Sequence, residues 1–413
     1  MNISKQNQTK QGPKRGNQSG ASTNFKQLMY NSENAASGLH PIVIWTGGKK
    51  NELKYIYPSL PSYNRYIEPF VGGGSVFMGI NANEHFINDI SSDLISIYRN
   101  IKNQDNCFFE YIEKIDLSWK KAGDFSTRHQ DNISGIYFQF QEKNAPEHEI
   151  KMTIENYCDA HHSEICDIVS DFIDLTPILT KEIKKTLYRK FKKMKDCNWT
   201  NDINSTIKTA IKGALYIAFR SLYNDKKVKE MNQPLHSALT LFIRQTVMSG
   251  MFRVNKEGKF NAPYGGLSRN NMSLSTKLER YQSNPVKNHF NNTHIYNVDF
   301  EDFLISVNPT ENDFIFLDPP YDCVFSSYDG NDFTKREHIR LARYLQEKCR
   351  AKWMMIIGKT DFIESLYCKG NVYVQEYEKV YNGNIKNNKN RCATHLLITN
   401  YPQSIENRMQ LAA

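Results

Sequence analysis

Two rhythms of apolar residues divide this chain. Near both ends, short apolar runs break into turn-forming residues, whereas the middle repeats apolar positions every three or four residues. Arg65-Tyr66-Ile67-Glu68-Pro69-Phe70-Val71 reads as a strand, with Gly72-Gly73-Gly74 as the turn after it. Ser75 to Asn81 reads as the next helix, and His85 to Asp89 as a second strand closing a strand-helix-strand unit. After Pro285 the alternation returns: strands over His294 to Val298 and Asp313 to Leu317, a helix from about Lys335 to Arg350, then a strand over Trp353 to Ile357. Val372 to Val380 and Thr394 to Asn400 suit an antiparallel hairpin.

The middle, from Gln104 to Pro285, has the other rhythm. Ile183, Leu187, Phe191 and Met194 fall on one face of a helix over Lys181 to Lys195, with lysines and arginine on the remainder. Ile207 to Tyr223 and Leu235 to Met248 are further helices with broad apolar faces. The pattern predicts one doubly wound, Rossmann-like α/β domain, residues 41–103 and 286–402, interrupted by a mainly helical insertion, residues 104–285. Residues 1–40, rich in Gln, Asn, Ser, Gly and Lys, are expected to be a disordered basic tail, because they bury too little apolar surface to offset ordering entropy. No internal repeat is present.

Composition narrows the class. With 413 residues, 39% of them hydrophobic, the chain can build a substantial core. No apolar run approaches the ~20 residues of a membrane span, and Met1 to Gly20 lacks a signal-peptide core, so a cytoplasmic location is expected. Eight dispersed cysteines are then expected to be reduced. The net charge of +9 biases the chain toward polyanions, without by itself identifying one.

The sharpest chemical signal is Asp318-Pro319-Pro320-Tyr321, directly after an apolar strand. In open α/β sheets, chemistry sits beyond the carboxyl ends of the strands. The prolines stiffen the turn and leave the Asp318 carboxylate and the Pro319 carbonyl as fixed acceptors, enough to grip both hydrogens of an exocyclic amine. Tyr321 is placed to stack on a nucleobase swung out of a duplex. The competing interpretation is an ordinary Asp-Pro turn.

Glu68-Pro69-Phe70-Val71-Gly72-Gly73-Gly74 is a second signal: glycines at a strand end admit a cofactor, and Asp89 after the next strand suits ribose hydroxyls. Alone, this motif equally suits a nucleotide, although neither a GxxxxGKS/T loop nor a spaced GxGxxG pattern occurs. Trp45-Thr46-Gly47-Gly48-Lys49 puts a planar ring and a cation before that strand; taken singly, such a pentapeptide is more often an ordinary turn than a site.

In this order, these residues resemble the Dam-type (alpha-class) adenine DNA methyltransferases over about residues 44–103 and 251–400. The resemblance implies a site-specific enzyme that moves a methyl group from S-adenosylmethionine to the N6 amine of a flipped adenine in double-stranded DNA. It implies that Asp318, Pro319, Pro320 and Tyr321 are catalytic. It further implies that Trp45, Lys49, Glu68, Pro69, Phe70, Gly72, Gly74, Asp89, Asp299, Phe300 and Asp318 bind or border the cofactor. The stretch Phe252 to Gly265 resembles the family's R-x-N-x-x-G-x-F-N-x-P-x-G hairpin, making Arg253, Asn255, Asn261, Pro263 and Tyr264 the DNA-binding candidates and residues 104–285 the target-recognition domain. Arg253 suits a bidentate contact to guanine. Ile44 stands where GATC-specific members carry Lys, and Gly266 where they carry Arg, so GATC specificity is not carried over.

Other readings stay open: a catalytically silent DNA-binding subunit, an N4-cytosine enzyme or an RNA adenine enzyme. Methylation at cytosine C5 needs a thiolate, usually in a Pro-Cys turn, and no cysteine here follows a proline. A cognate restriction endonuclease is a possible partner; a monomer or weak dimer, without membrane association, is expected. No metal is expected: Cys158, His161, His162 and Cys166 match no standard zinc spacing and would scatter over several helix faces. The lysine-rich helix Lys181 to Lys195 is either a phosphate grip or a solvated face.

Overall fold

The computed structural model describes residues 39–142, 146–196, 202–321, 327–328, 331–380 and 392–403. The disordered tail expected over residues 1–40 falls almost wholly outside the described residues.

The main sheet has seven strands: β1 Arg65–Glu68, β2 Glu84–Asn88, β3 Thr293–Tyr296, β4 Phe314–Leu317, β5 Lys352–Gly358, β6 Tyr373–Val380 and β7 Cys392–Thr399. Their order is β3-β2-β1-β4-β5-β7-β6. The first five run parallel, and β7 pairs antiparallel with both β5 and β6. From β1 the chain moves outward to β2 on one side and later resumes on the other side with β4. A crevice forms where the strand order reverses in this way.

Side-chain alternation along the buried strands separates two apolar layers. Phe314 and Phe316 of β4, with Met354 and Ile356 of β5, join one layer. Ile315, Leu317, Trp353, Met355 and Ile357 join the other, covered by the helices Phe300–Val307, Lys335–Glu347 and Asp361–Tyr367.

The helical insertion lies on the first layer and shares its core. Helices Asn106–Arg128, Thr176–Asp196, Ile203–Tyr223 and Gln233–Thr246 form its frame. Trp119 and Phe219 each meet Phe242 edge-on, with ring centroids 5.2 Å apart. Phe242 is fully buried, so Phe242→Ala would cost about 3–5 kcal/mol. Ile183, Leu187, Phe191 and Met194 are all buried, as their spacing requires. No helix of the described residues is long and apolar enough to cross a membrane.

Some boundaries differ from the sequence pattern, for local reasons. The first strand stops at Glu68 because Pro69 has no N–H to continue the ladder. The helix expected over Ser75 to Asn81 is only a 3-10 turn, Phe77–Gly79, since β2 begins at Glu84 and Tyr57 packs tightly against Gly79. β3 ends at Tyr296, two residues before the expected Val298, because the Asn88 side chain takes both polar backbone groups of Val298.

Candidate active site

The ends of β1, β2 and β4 open onto a cleft of about 350 Å³. Its floor at the β1 end is fixed by side chain to backbone bonds. Asn88 Nδ2 donates to the Pro69 carbonyl at 3.1 Å, and the Gly72 and Ser91 amides each donate to the Asp89 carboxylate at 3.0 Å. Asp89 therefore holds the glycine turn while it lines the cleft. Gly72 takes φ +49°, which favours glycine, and it faces the cleft.

Gly74 has a different task from the one its motif implied. At φ +74° it lies against Tyr98, whose hydroxyl would sit 2.5 Å from an added Cβ, and it does not line the cleft. Glu68 is likewise beneath the cleft rather than in its wall. It is 2% exposed, accepts a 2.8 Å bond from the Tyr66 hydroxyl, and burial pushes its carboxyl well above the usual range. A separate void of about 20 Å³, bordered by Glu68, Lys49, Ser75 and Asp318, has room for about one water.

Asp318 emerges at the carboxyl end of β4 and meets Lys49, Nζ to Oδ2, at 2.5 Å. Lys49 is 2% exposed and also donates to the Gly47 carbonyl at 3.0 Å. Burial raises the Asp318 carboxyl, and Lys49 draws it back part of the way. The Tyr321 ring lies 5.2 Å from Lys49 Nζ and meets the His395 ring edge-on at 5.3 Å. His395, on β7, is lowered to about 3 by burial, with Lys379 and Lys49 adding to the shift, so it supports Tyr321 as a neutral ring.

Trp45 lines the same cleft and is pinned from the insertion side. The guanidinium of Arg244 lies 3.9 Å from the Trp45 ring centre and 4.7 Å from that of Phe252. At the far end, Phe70, Phe300 and Phe333 meet at 5.5 to 5.6 Å. Asp299 caps the helix Phe300–Val307 and pairs with Arg340 through two bonds, of 2.7 and 3.2 Å. Burial opposes ionisation of Asp299, but these bonds outweigh it and keep its carboxyl low.

The cleft thus gathers Trp45, Lys49, Pro69, Phe70, Gly72, Asp89, Asp299, Phe300, Asp318, Pro319, Pro320 and Tyr321. Asn88, Phe333, Glu337 and Arg340 also line it, although the sequence reading did not single them out. One signal for the last group was present: Thr334 and Glu337 form a capping box, fixing a helix start directly after Phe333.

The segment Phe252 to Gly265 is a tight loop with isolated antiparallel bridges at Val254–Phe260 and Val247–Tyr264. Asn255 folds its turn, its Oδ1 accepting from the amides of Glu257 and Lys259. Exposed Arg253 is folded back onto Asn261, donating to its Oδ1 and carbonyl at 2.8 Å each. Tyr264 packs inward against Trp119 and Tyr216 and donates to Asn270 at 2.8 Å. Pro263 is half-buried, its carbonyl accepting from the Met248 amide.

Both flanks of this geometry match known sequences. The sequence model described as "D12 class N6 adenine-specific DNA methyltransferase" matches residues 45–184 and 165–382, spanning Trp45 and the Asp318 turn alike. The chain belongs to that family. This methyltransferase is 27% identical over 371 residues to Type II methyltransferase M.CviBI of Paramecium bursaria Chlorella virus NC1A, covering 88% of this chain and 100% of the relative. It is 25% identical over 380 residues to Type II methyltransferase M.MjaIII of Methanocaldococcus jannaschii, covering 87% and 99%. The DNA adenine methylase of Escherichia coli K12 is 31% identical over 99 residues, 24% of this chain and 32% of that protein. The methyltransferase therefore acts on DNA, at the N6 amine of adenine.

Proposed function

We propose that the cleft binds S-adenosylmethionine and that the Asp318 turn presents to it an adenine flipped from double-stranded DNA. The observation carrying this reading is the meeting of two sequence-distant motifs: Asp89 and Gly72 line the same cleft as Asp318, Pro319, Pro320 and Tyr321. The donor set suits the cofactor chemically, with a carboxylate for ribose hydroxyls at Asp89 and an aromatic enclosure at Phe70, Phe300 and Phe333 for a purine. S-adenosylmethionine supplies an activated sulfonium methyl group.

The protein's task is alignment. With Asp318 Oδ2 held by Lys49, Oδ1 and the Pro319 carbonyl are the acceptors for the two amine hydrogens. Holding both turns the nitrogen lone pair out of the ring system and toward the methyl donor. Tyr321, braced by His395, offers its ring as a stacking surface for the base. The methylated nitrogen must shed a proton, which the Asp318 carboxylate would accept.

Residues 104–285 serve in this proposal as the target-recognition region, with Arg253 at the DNA and Asn255 and Asn261 shaping its loop. Relatives named type II methyltransferases support a cognate restriction endonuclease as partner. Tritiated S-adenosylmethionine incubated with duplex DNA tests the proposal. Label recovered as N6-methyladenine is expected; label in cytosine, or RNA preferred over DNA, would overturn it.

A further inference from the structure

Three helices of the insertion meet around a cluster that DNA methylation does not use. His129 ends the helix Asn106–Arg128, His161 joins the helices Glu147–Ala160 and His162–Ile168, and Glu164 lies on the last of these. One ligand atom from each of the three lies within 4.8 Å of the others. His129 Nε2 is 3.0 Å from Glu164 Oε2, and His161 Nδ1 is 3.1 Å from Oε1. The neighbouring thiols are turned to other ends: Cys158 is 1% exposed, with its thiol pushed up to about 12 by burial, and Cys166 Sγ is 3.4 Å from His162 Nε2.

We propose that His129, His161 and Glu164 form a binding site for a divalent zinc-class ion that ties these three helices together. Two imidazoles and a carboxylate are a borderline nitrogen and oxygen set suited to zinc, with a fourth position for water. The surroundings favour coordination. His129 is 6% exposed, and its other nitrogen, Nδ1, lies 2.6 Å from the Tyr157 hydroxyl. A proton on Nδ1 donated to Tyr157 fixes the tautomer that offers the Nε2 lone pair to a metal. Arg128 Nη1 holds Glu164 Oε2 at 2.6 Å, so Glu164 binds through Oε1 while Arg128 keeps the other oxygen. On binding, His129 Nε2 releases to solvent the proton it donates to Glu164 Oε2 and gives its lone pair to the ion instead.

The test uses the full-length, tag-free protein, stripped with a chelator and titrated with zinc chloride against a chromophoric competitor. One zinc per chain is expected, with Tyr157→Phe weakening binding about tenfold and the double variant His129→Gln/His161→Gln weakening it about a hundredfold or more. Cys166→Ser should bind as the wild type does. Wild-type uptake no greater than that of the double variant, or loss of zinc in Cys166→Ser, would overturn the site. Should circular dichroism show the double variant unfolded, the cobalt-substituted wild type decides. Weak visible bands without a sulfur-to-metal charge-transfer band support the site, whereas a strong thiolate band or no spectral change overturns it.

Discussion

The cleft and the loop Phe252 to Gly265 are held in place by different means. Asp318, Asp89 and Pro69 extend from strand ends whose neighbours are buried on both sheet faces, so their positions are set by the core. Arg253 and Asn261 are set by one another, and Asn255 by the amides of its own turn, through short polar bonds on a loop with isolated strand pairing. The proposed methyl transfer, which must align a donor and an acceptor to within a fraction of an ångström, falls on the rigid part. In the proposed function, target reading falls to a segment that can exchange its internal bonds for bonds to bases.

This contrast is most strongly tested at Asp318. Asp318→Ala should reduce methyl transfer by about 10³-fold or more while DNA affinity, read by fluorescence anisotropy, changes only a few-fold. Equal losses in both would join the two regions that the contrast separates. Lys49→Met should reduce transfer by about 100-fold and move the acid limb of the pH–rate profile upward. Without that ammonium, burial acts on the Asp318 carboxyl with only the weaker pull of Lys379 against it, so the group takes up its proton at higher pH as the pH falls. An unmoved limb would mean that Asp318 is not the titrating group.

Gly74→Ala probes the rigidity itself. A β-carbon there combines φ +74° with a 2.5 Å approach to the Tyr98 hydroxyl, so a loss of about 2–3 kcal/mol is expected in denaturant unfolding. Arg253→Ala should instead leave stability alone, weaken specific DNA binding by about 1–3 kcal/mol and relax the preference at one base pair. The smallest change is expected from Asn255→Ala, about 1 kcal/mol in specific binding, through loss of the side-chain oxygen that folds the turn.

What the sequence disclosed follows the same divide. The central strands were legible because each is a short apolar run bounded by turn residues, and the Asp318 turn because its residue types have few other uses together. Glu68 and Gly74 were assigned to the cofactor from their motif, but the strand's alternation puts Glu68 beneath the cleft, beside Tyr66, and Gly74 against Tyr98. The capping box marks where the helix after Phe333 starts, but only the packing of the helix Lys335–Glu347 against the helix Phe300–Val307 carries Arg340 and Phe333 to the cleft. His129 escaped notice for a similar reason: it lies far along the chain from His161 and Glu164 and meets them only through helix packing. Tyr264 came with the loop motif, yet its ring belongs to the helical core.

The pairing of β2 with β3 bears on how the protein is made. Asn88 leaves the ribosome long before its partner Tyr296, with the whole helical excursion translated in between. At about 5–20 residues per second that interval is on the order of tens of seconds, during which both edges of the nascent β1–β2 pair lack a neighbour and are open to the wrong strand. Prompt folding of the helices over the nascent sheet's face would limit that exposure and protect the unfinished molecule.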